Sequence, residues 1–260
     1  MGNESSKTKP GKTINSLGLR VGPSQSTIQR HVDNARKSRI LQLKSCGLKS
    51  IPHALNELQD IIRSLELSQN KIKEIPSSIG QFSALKQLHL SENIISVLPD
   101  EIGQLNSLEI LNLQSNKLST LPETIVGCTA LKTINISANS FSQFPIAVCY
   151  LTSLDTLNLA QNTITALPDE VSSLNATEVN LNQNRLNFLN ADVLVKCPHL
   201  KILRLEENCL TKTEFTENFL SRSNVSIICY SGNIFQEREF QDLPGYDEYQ
   251  HRFTATRRKI

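Results

Sequence analysis

An α/β fold of one kind is predicted for this chain: a curved, right-handed solenoid of about nine rungs. Its parallel sheet lines the concave face, and short helical or irregular returns form the convex one. Three observations predict it. Asn70, Asn93, Asn116, Asn139 and Asn162 recur every 23 residues, and Asn184, Asn208 and Asn233 continue the series at close to that interval. Around each Asn the apolar residues hold fixed offsets, as in Leu85, Leu88, Leu90, Ile95, Leu98 and Ile102 around Asn93. The same offsets return as Leu108, Leu111, Leu113, Leu118, Leu121 and Ile125 around Asn116, and a proline follows the fifth apolar position at Pro76, Pro99, Pro122, Pro145 and Pro168.

The elements follow in chain order. Residues 1–25 are dominated by Gly, Ser, Lys, Thr and Pro without an apolar period, which predicts a flexible tail. Residues 26–38 set Ile28 and Val32 among charged residues, as a short amphipathic helix capping the first rung requires. The rungs then run over 39–236. A degenerate first one holds Leu41, Leu43, Cys46, Leu48 and Ile51, and a degenerate last one holds Val225, Ile228, Tyr230, Asn233 and Phe235. An open stack exposes its core at both ends, so residues 237–260 are predicted to close the other end and finish in a basic tail. Phe240, Leu243, Tyr246, Tyr249 and Phe253 lie there at roughly helical spacing.

Each offset has a physical cause. The L-x-L pair alternates with period two, so both leucines face inward and the residue between them faces solvent, with strands centred near Glu66, His89, Asn112, Asn135, Asn158, Asn180 and Arg204. The chain then turns back, and a buried Asn amide can satisfy backbone groups of its own and neighbouring rungs. Proline fixes φ and removes a donor, favouring an extended or turning return.

These rungs, in the frame L-x-x-L-x-L-x-x-N-x-L-x-x-L-P-x-x-I, resemble the leucine-rich-repeat family. Within it they are similar to the 23-residue Leu-Pro-x-x-Ile subclass found in intracellular, Ras-pathway-associated scaffolds. The likeness covers about three quarters of the chain. It implies the solenoid fold and a scaffold role. Related scaffolds suggest the alternative of an adaptor or regulatory subunit for a small GTPase or phosphatase.

Charge and composition narrow the function classes. Lys plus Arg number 27 against 25 Asp plus Glu, which is no electrostatic footprint for nucleic acid, so the expected partner is another protein. No apolar run approaches the roughly 18 residues a membrane span requires, and the opening residues lack a secretory stretch, so a cytoplasmic chain is expected. The sequons at Asn135, Asn175 and Asn224 then read as chance matches, and the six cysteines as reduced, buried thiols. Phosphate loops, nucleophile elbows and metal-ligand spacings are missing, which predicts no enzyme activity, no cofactor and no metal. A monomer is expected.

Two candidate sites remain. Met1-Gly2-Asn3-Glu4-Ser5-Ser6 fits the M-G-x-x-x-[ST] acceptor pattern for N-myristoylation at Gly2, with Lys7, Lys9 and Lys12 close behind. That predicts peripheral contact with cytosolic membrane faces. The outward stripe Glu66, His89, Asn112, Asn135, Asn158, Asn180 and Arg204, with Glu206, is the candidate partner-binding surface. Read without a ligand, its four successive asparagines would form a hydrogen-bonded ladder between rungs. A peptide or small-ligand receptor is the weaker alternative.

Overall fold

A computed structural model describes residues 22–257 of the chain. The tail before Gly22, with the Gly2 acceptor and its lysines, lies outside the described residues, as do 258–260. Nine strands stack in chain order into one parallel sheet: β1 (Ile40–Gln42), β2 (Ser64–Glu66), β3 (Gln87–His89), β4 (Ile110–Asn112), β5 (Thr133–Asn135), β6 (Thr156–Asn158), β7 (Glu178–Asn180), β8 (Ile202–Arg204) and β9 (Ile227–Cys229). The register keeps one apolar column in line, running Leu41, Leu65, Leu88, Leu111, Ile134, Leu157, Val179, Leu203 and Ile228. Every member is buried. This is a leucine-rich-repeat solenoid of nine rungs.

The strands sit one residue earlier than expected. Glu66, His89, Asn112, Asn135, Asn158, Asn180 and Arg204 end their strands, and the buried leucine column occupies the centres. The reason is the pairing: each buried residue is flanked by two outward residues, so every rung shows the sheet face two positions rather than one. Bonds between rungs also run past the strands, as in Leu67 N–H to the His89 carbonyl at 2.8 Å and Gln69 N–H to Ser91 at 2.8 Å.

The residue before each ladder position has positive φ in every rung, from Ser45 (56°), Gln69 (60°) and Glu92 (54°) to Glu207 (54°), with Gly232 (78°) in the last. Non-glycine residues pay a steric cost there. The ladder amides hold the turn in place. Asn93 Nδ2 donates to the Leu67 carbonyl of the preceding rung (3.1 Å) and to Leu90 of its own (2.9 Å), and its Oδ1 accepts from Ile72 N–H (3.0 Å). Asn70 serves Cys46 and Leu48 of the first rung in the same manner.

The returns of the middle rungs are 3-10 turns at Ser77–Gln81, Asp100–Gln104, Glu123–Gly127, Ile146–Tyr150 and Asp169–Ser173. Each follows a proline in extended conformation whose carbonyl accepts from the third residue on, as Pro99 does from Ile102 (3.1 Å). A missing N–H costs nothing at such a start. Glycine lets adjacent returns touch backbone to backbone: a Cβ on Gly103 would overlap the Thr124 carbonyl, and one on Gly127 would overlap the Gly103 carbonyl. Two later rungs return through the short helices α2 (Ala191–Leu194) and α3 (Glu217–Arg222).

Both ends are covered. Helix α1 (Gln25–Ser38) begins where Ser24 Oγ accepts from Thr27 N–H (3.2 Å) and stops at Arg39, whose φ is 61°. It buries Val32 and Ala35 on the first rung, with Ile28 partly covered. At the other end lie α4 (Glu237–Gln241) and α5 (Tyr246–Arg257). Phe240 is fully buried and stacks on Tyr230 with ring centroids 4.0 Å apart. Tyr249 Oη accepts from Ile228 N–H (3.1 Å), and Arg252 donates to the Val225 (3.2 Å), Ser221 (3.0 Å) and Leu220 carbonyls.

Candidate interaction surface on the sheet face

Two outward columns run along the sheet. The first holds Gln87, Ile110, Thr133, Thr156, Glu178 and Ile202, and the second holds Glu66, His89, Asn112, Asn135, Asn158, Asn180 and Arg204. The four asparagines lie side by side in register. Ile110 and Ile202 of the first column are only half-exposed, because neighbouring rungs cover their flanks.

The asparagines do not make the ladder between rungs that a purely structural role suggests. Each Oδ1 instead accepts from the backbone two residues on: Asn112 from Gln114 (3.1 Å), Asn135 from Ser137 (3.1 Å), Asn158 from Ala160 (3.1 Å) and Asn180 from Asn182 (3.0 Å). Glu66 does likewise with Ser68 N–H (2.8 Å). Pinning the oxygen fixes the amide plane. Among the described residues, Nδ2 of Asn112, Asn158 and Asn180 meets no acceptor, and that of Asn135 makes only a long contact to Gln114 Oε1 (3.4 Å). The stripe is therefore a row of oriented donors spaced by the strand separation of about 4.8 Å.

At the charged end Arg204 and Glu206 have different partners. Arg204 Nε donates to Glu178 Oε1 (2.8 Å), and this bond, against the opposing effect of burial, holds the guanidinium pKa above its usual value. Glu206 instead accepts from Asn182 Nδ2 (2.7 Å), while its own N–H donates to Asn182 Oδ1 (2.9 Å). His89 makes no side-chain hydrogen bond among the described residues.

Two polar ladders complete the surface, and sequence reasoning missed both. At the positive-φ position Gln69 Nε2 donates to Glu92 (3.0 Å), Gln161 to Gln183 (2.7 Å) and Gln183 to Glu207 (2.9 Å), with a gap at Ser115 and Ala138. Glu109 accepts from Lys86 (2.6 Å) and Lys132 (3.1 Å), and these two bonds hold its carboxyl below the ordinary range. The repeat interval itself carried the signal. Lys86, Glu109 and Lys132 occupy one rung position in three successive rungs.

All six cysteines are free. Cys128, Cys149 and Cys197 are buried, and burial pushes their thiols up to about 12, 12 and 11. The expectation that all six are buried fails at Cys209, which is exposed, and at Cys46 and Cys229, which are half-buried. Cys209 directly follows the ladder Asn208, and its side chain turns out where Leu210 turns in. Among the described residues no group of three His, Cys, Asp or Glu is arranged to hold a metal, and no helix is long and apolar enough to cross a membrane.

Comparison with known proteins agrees with this architecture. The family described as Leucine-rich repeat region matches residues 19–113, and the family described as Leucine Rich Repeat matches 107–128. Among solved structures, the LRR protein LIC12759 of Leptospira interrogans is 25% identical at a TM-score of 0.54, covering 76% of this chain and 62% of its own. A plant peptide hormone receptor, RGFR1 in complex with RGF2, is 31% identical at a TM-score of 0.59, covering 71% of this chain and 30% of its own. The leucine-rich repeat domain of APL1B, at 20% identity, a TM-score of 0.62, and coverage of 86% and 66%, shares the fold. The chain thus spans less than two thirds of the first two.

Proposed function

Starting from a leucine-rich-repeat protein, a class of chiefly non-enzymatic interaction domains, we propose that this chain is an interaction scaffold that binds another protein on its concave sheet face. One observation carries the reading: four adjacent asparagines have their oxygens held by backbone N–H groups, and the amide donors of three of them, Asn112, Asn158 and Asn180, are left for an outside acceptor. A partner offering carbonyl or carboxylate oxygens in a row fits that stripe. The surface lacks the Trp and Tyr anchors of the tightest interfaces, which supports a complex of moderate affinity. Glu66, His89, Arg204 and Glu206 extend the contact on either side of Asn112, Asn135, Asn158 and Asn180.

Capture from cell extract by wild-type protein and by an Asn135→Arg/Asn158→Arg variant tests the site. The variant gives up two surface hydrogen bonds to the backbone, each worth on the order of 1 kcal/mol, and should fold. Its circular dichroism and melting should stay close to wild type while the captured partners disappear. A folded variant that keeps every partner refutes the sheet-face site.

The finer resemblance to the Leu-Pro-x-x-Ile subclass belongs to the same proposal, as does the likeness of Leu200–Cys209, LKILRLEENC, to leucine-rich repeat-containing protein 57. It supports the alternative of an adaptor or regulatory subunit for a small GTPase or phosphatase. The plant receptor supports the weaker alternative of a peptide receptor. In the scaffold reading the chain is cytoplasmic and monomeric, and a myristoyl group on Gly2 tethers it to cytosolic membrane faces. One such chain binds with a constant on the order of 10⁴ M⁻¹, so the tether is reversible. Intact mass of protein from eukaryotic cells tests it, and a free Gly2 amine rejects it.

A further inference from the structure

The return side carries an unexplained apolar groove of about 930 Å³ between the fourth and fifth rungs. Phe141 and Phe144 form its floor, and Val126 (40% exposed), Ile146 (43%) and Tyr150 (53%) form its rim. With Val97 (66%) on the third rung, these are four of the seven large apolar side chains exposed among the described residues. Their clustering separates them from the scattered exposed apolar residues that need no explanation.

The groove interrupts a column of acid. The residues just after the return prolines are Asp100 and Glu101, then Glu123, then Ile146 and Ala147, then Asp169 and Glu170. Among the described residues none of these five carboxylates is in an ion pair. The occupant this surface fits is apolar in the middle and basic at an end. A second copy apposing the same face would set carboxylate against carboxylate.

We propose that the chain's own N-terminal segment fills the groove, with Ile14 and Leu17 against Ile146 and Tyr150 and with Lys7, Lys9 and Lys12 beside Asp169 and Glu170. The path is short and on the correct flank. Gly22 lies beside the Gly47 carbonyl. The groove's Ser119 and Ser142 lie on the flank stacked above Gly47, through bonds such as Lys71 N–H to Leu48, Ile94 to Ile72, Lys117 to Ile95 and Ser140 to Leu118. Three to four rungs at about 4.8 Å separate Gly22 from the groove, and the eight residues back to Ile14 span up to about 26 Å. The flank itself carries Lys71, Lys73 and Lys117. Residues 13–19, TINSLGL, bear no charge; Arg20 is the one charged residue between them and Gly22, and Lys7, Lys9 and Lys12 lie on their far side.

Carbodiimide cross-linking of the full-length, unacylated protein, read by peptide mass spectrometry on the monomer band, tests the contact. The expected products join Lys7, Lys9 or Lys12 to Glu123, Asp169 or Glu170, and they fade as ionic strength rises. Leu17→Ser changes a residue that precedes the described ones, and its melting is compared with that of wild type. It should lower the docked-to-free ratio about tenfold, as loss of one buried apolar side chain does. Ile146→Arg should do the same. Cross-links that ignore Leu17→Ser, that spread equally to Glu66 and Glu206, or that occur only in a dimer band each overturn the proposal. The sheet-face capture described above neither requires nor disturbs this contact, so the two readings fail separately.

Discussion

At the scale of single residues, the weight rests on the ladder amides. Asn162 is buried and donates to the Ile136 (3.1 Å) and Leu159 (2.9 Å) carbonyls while accepting from Phe141 N–H (3.0 Å). Truncation to Ala strands all three partners away from water, which costs on the order of 3 kcal/mol. Asn116 makes the matching bonds but is half-exposed, so water can replace its amide, and Asn116→Ala should cost about 1 kcal/mol. Urea denaturation of the two variants measures the difference, and equal costs would show that access to water does not set it. The ladder was legible in the sequence because one residue type recurs at one interval. The bond from Arg204 to Glu178 was not, since the seventh and eighth rungs depart from 23 residues and nothing periodic singles out that pair.

Among elements, the strands and returns follow from apolar spacing and proline, and the error of one residue in the strand centres arose where pairing, not burial, sets the boundary. The caps were legible only as apolar residues near the ends. Tyr249 Oη on Ile228 N–H is a contact between segments with no shared period. Helix α1 carries a buried His31 Nε2 with no hydrogen-bond partner. Burial first, and Arg30 second, hold this imidazole below its ordinary value of 6.5. The folded cap therefore keeps His31 neutral under conditions where the unfolded chain binds a proton, and stability falls as pH drops below about 6.5. Replacing His31 by Gln should flatten that part of the melting profile between about pH 7.5 and pH 5.5. Parallel profiles for the two proteins would assign the slope to other groups.

On the scale of the whole molecule, each rung touches its neighbours and little else. The aromatic cluster at the last rung, in which Phe240 meets Phe215, Tyr230, Phe235, Tyr246 and Tyr249, thus guards one end of a linear stack. Phe240→Ala should cost about 3–5 kcal/mol and release that end first. Hydrogen exchange should then rise in β9 and β8 while β4 and β5 stay protected, and a uniform rise would mean that the stack unfolds as one unit. The same rung-by-rung register has a mechanical consequence. Load applied between the two ends passes through the rung interfaces in series, so the weakest interface sets the yield force and stiffer neighbours cannot share it. A yielding rung of 23 residues would pay out about 75 Å of slack before the next bore tension, so a partner gripping the sheet face across several rungs would splint them and raise the force at which the stack gives way.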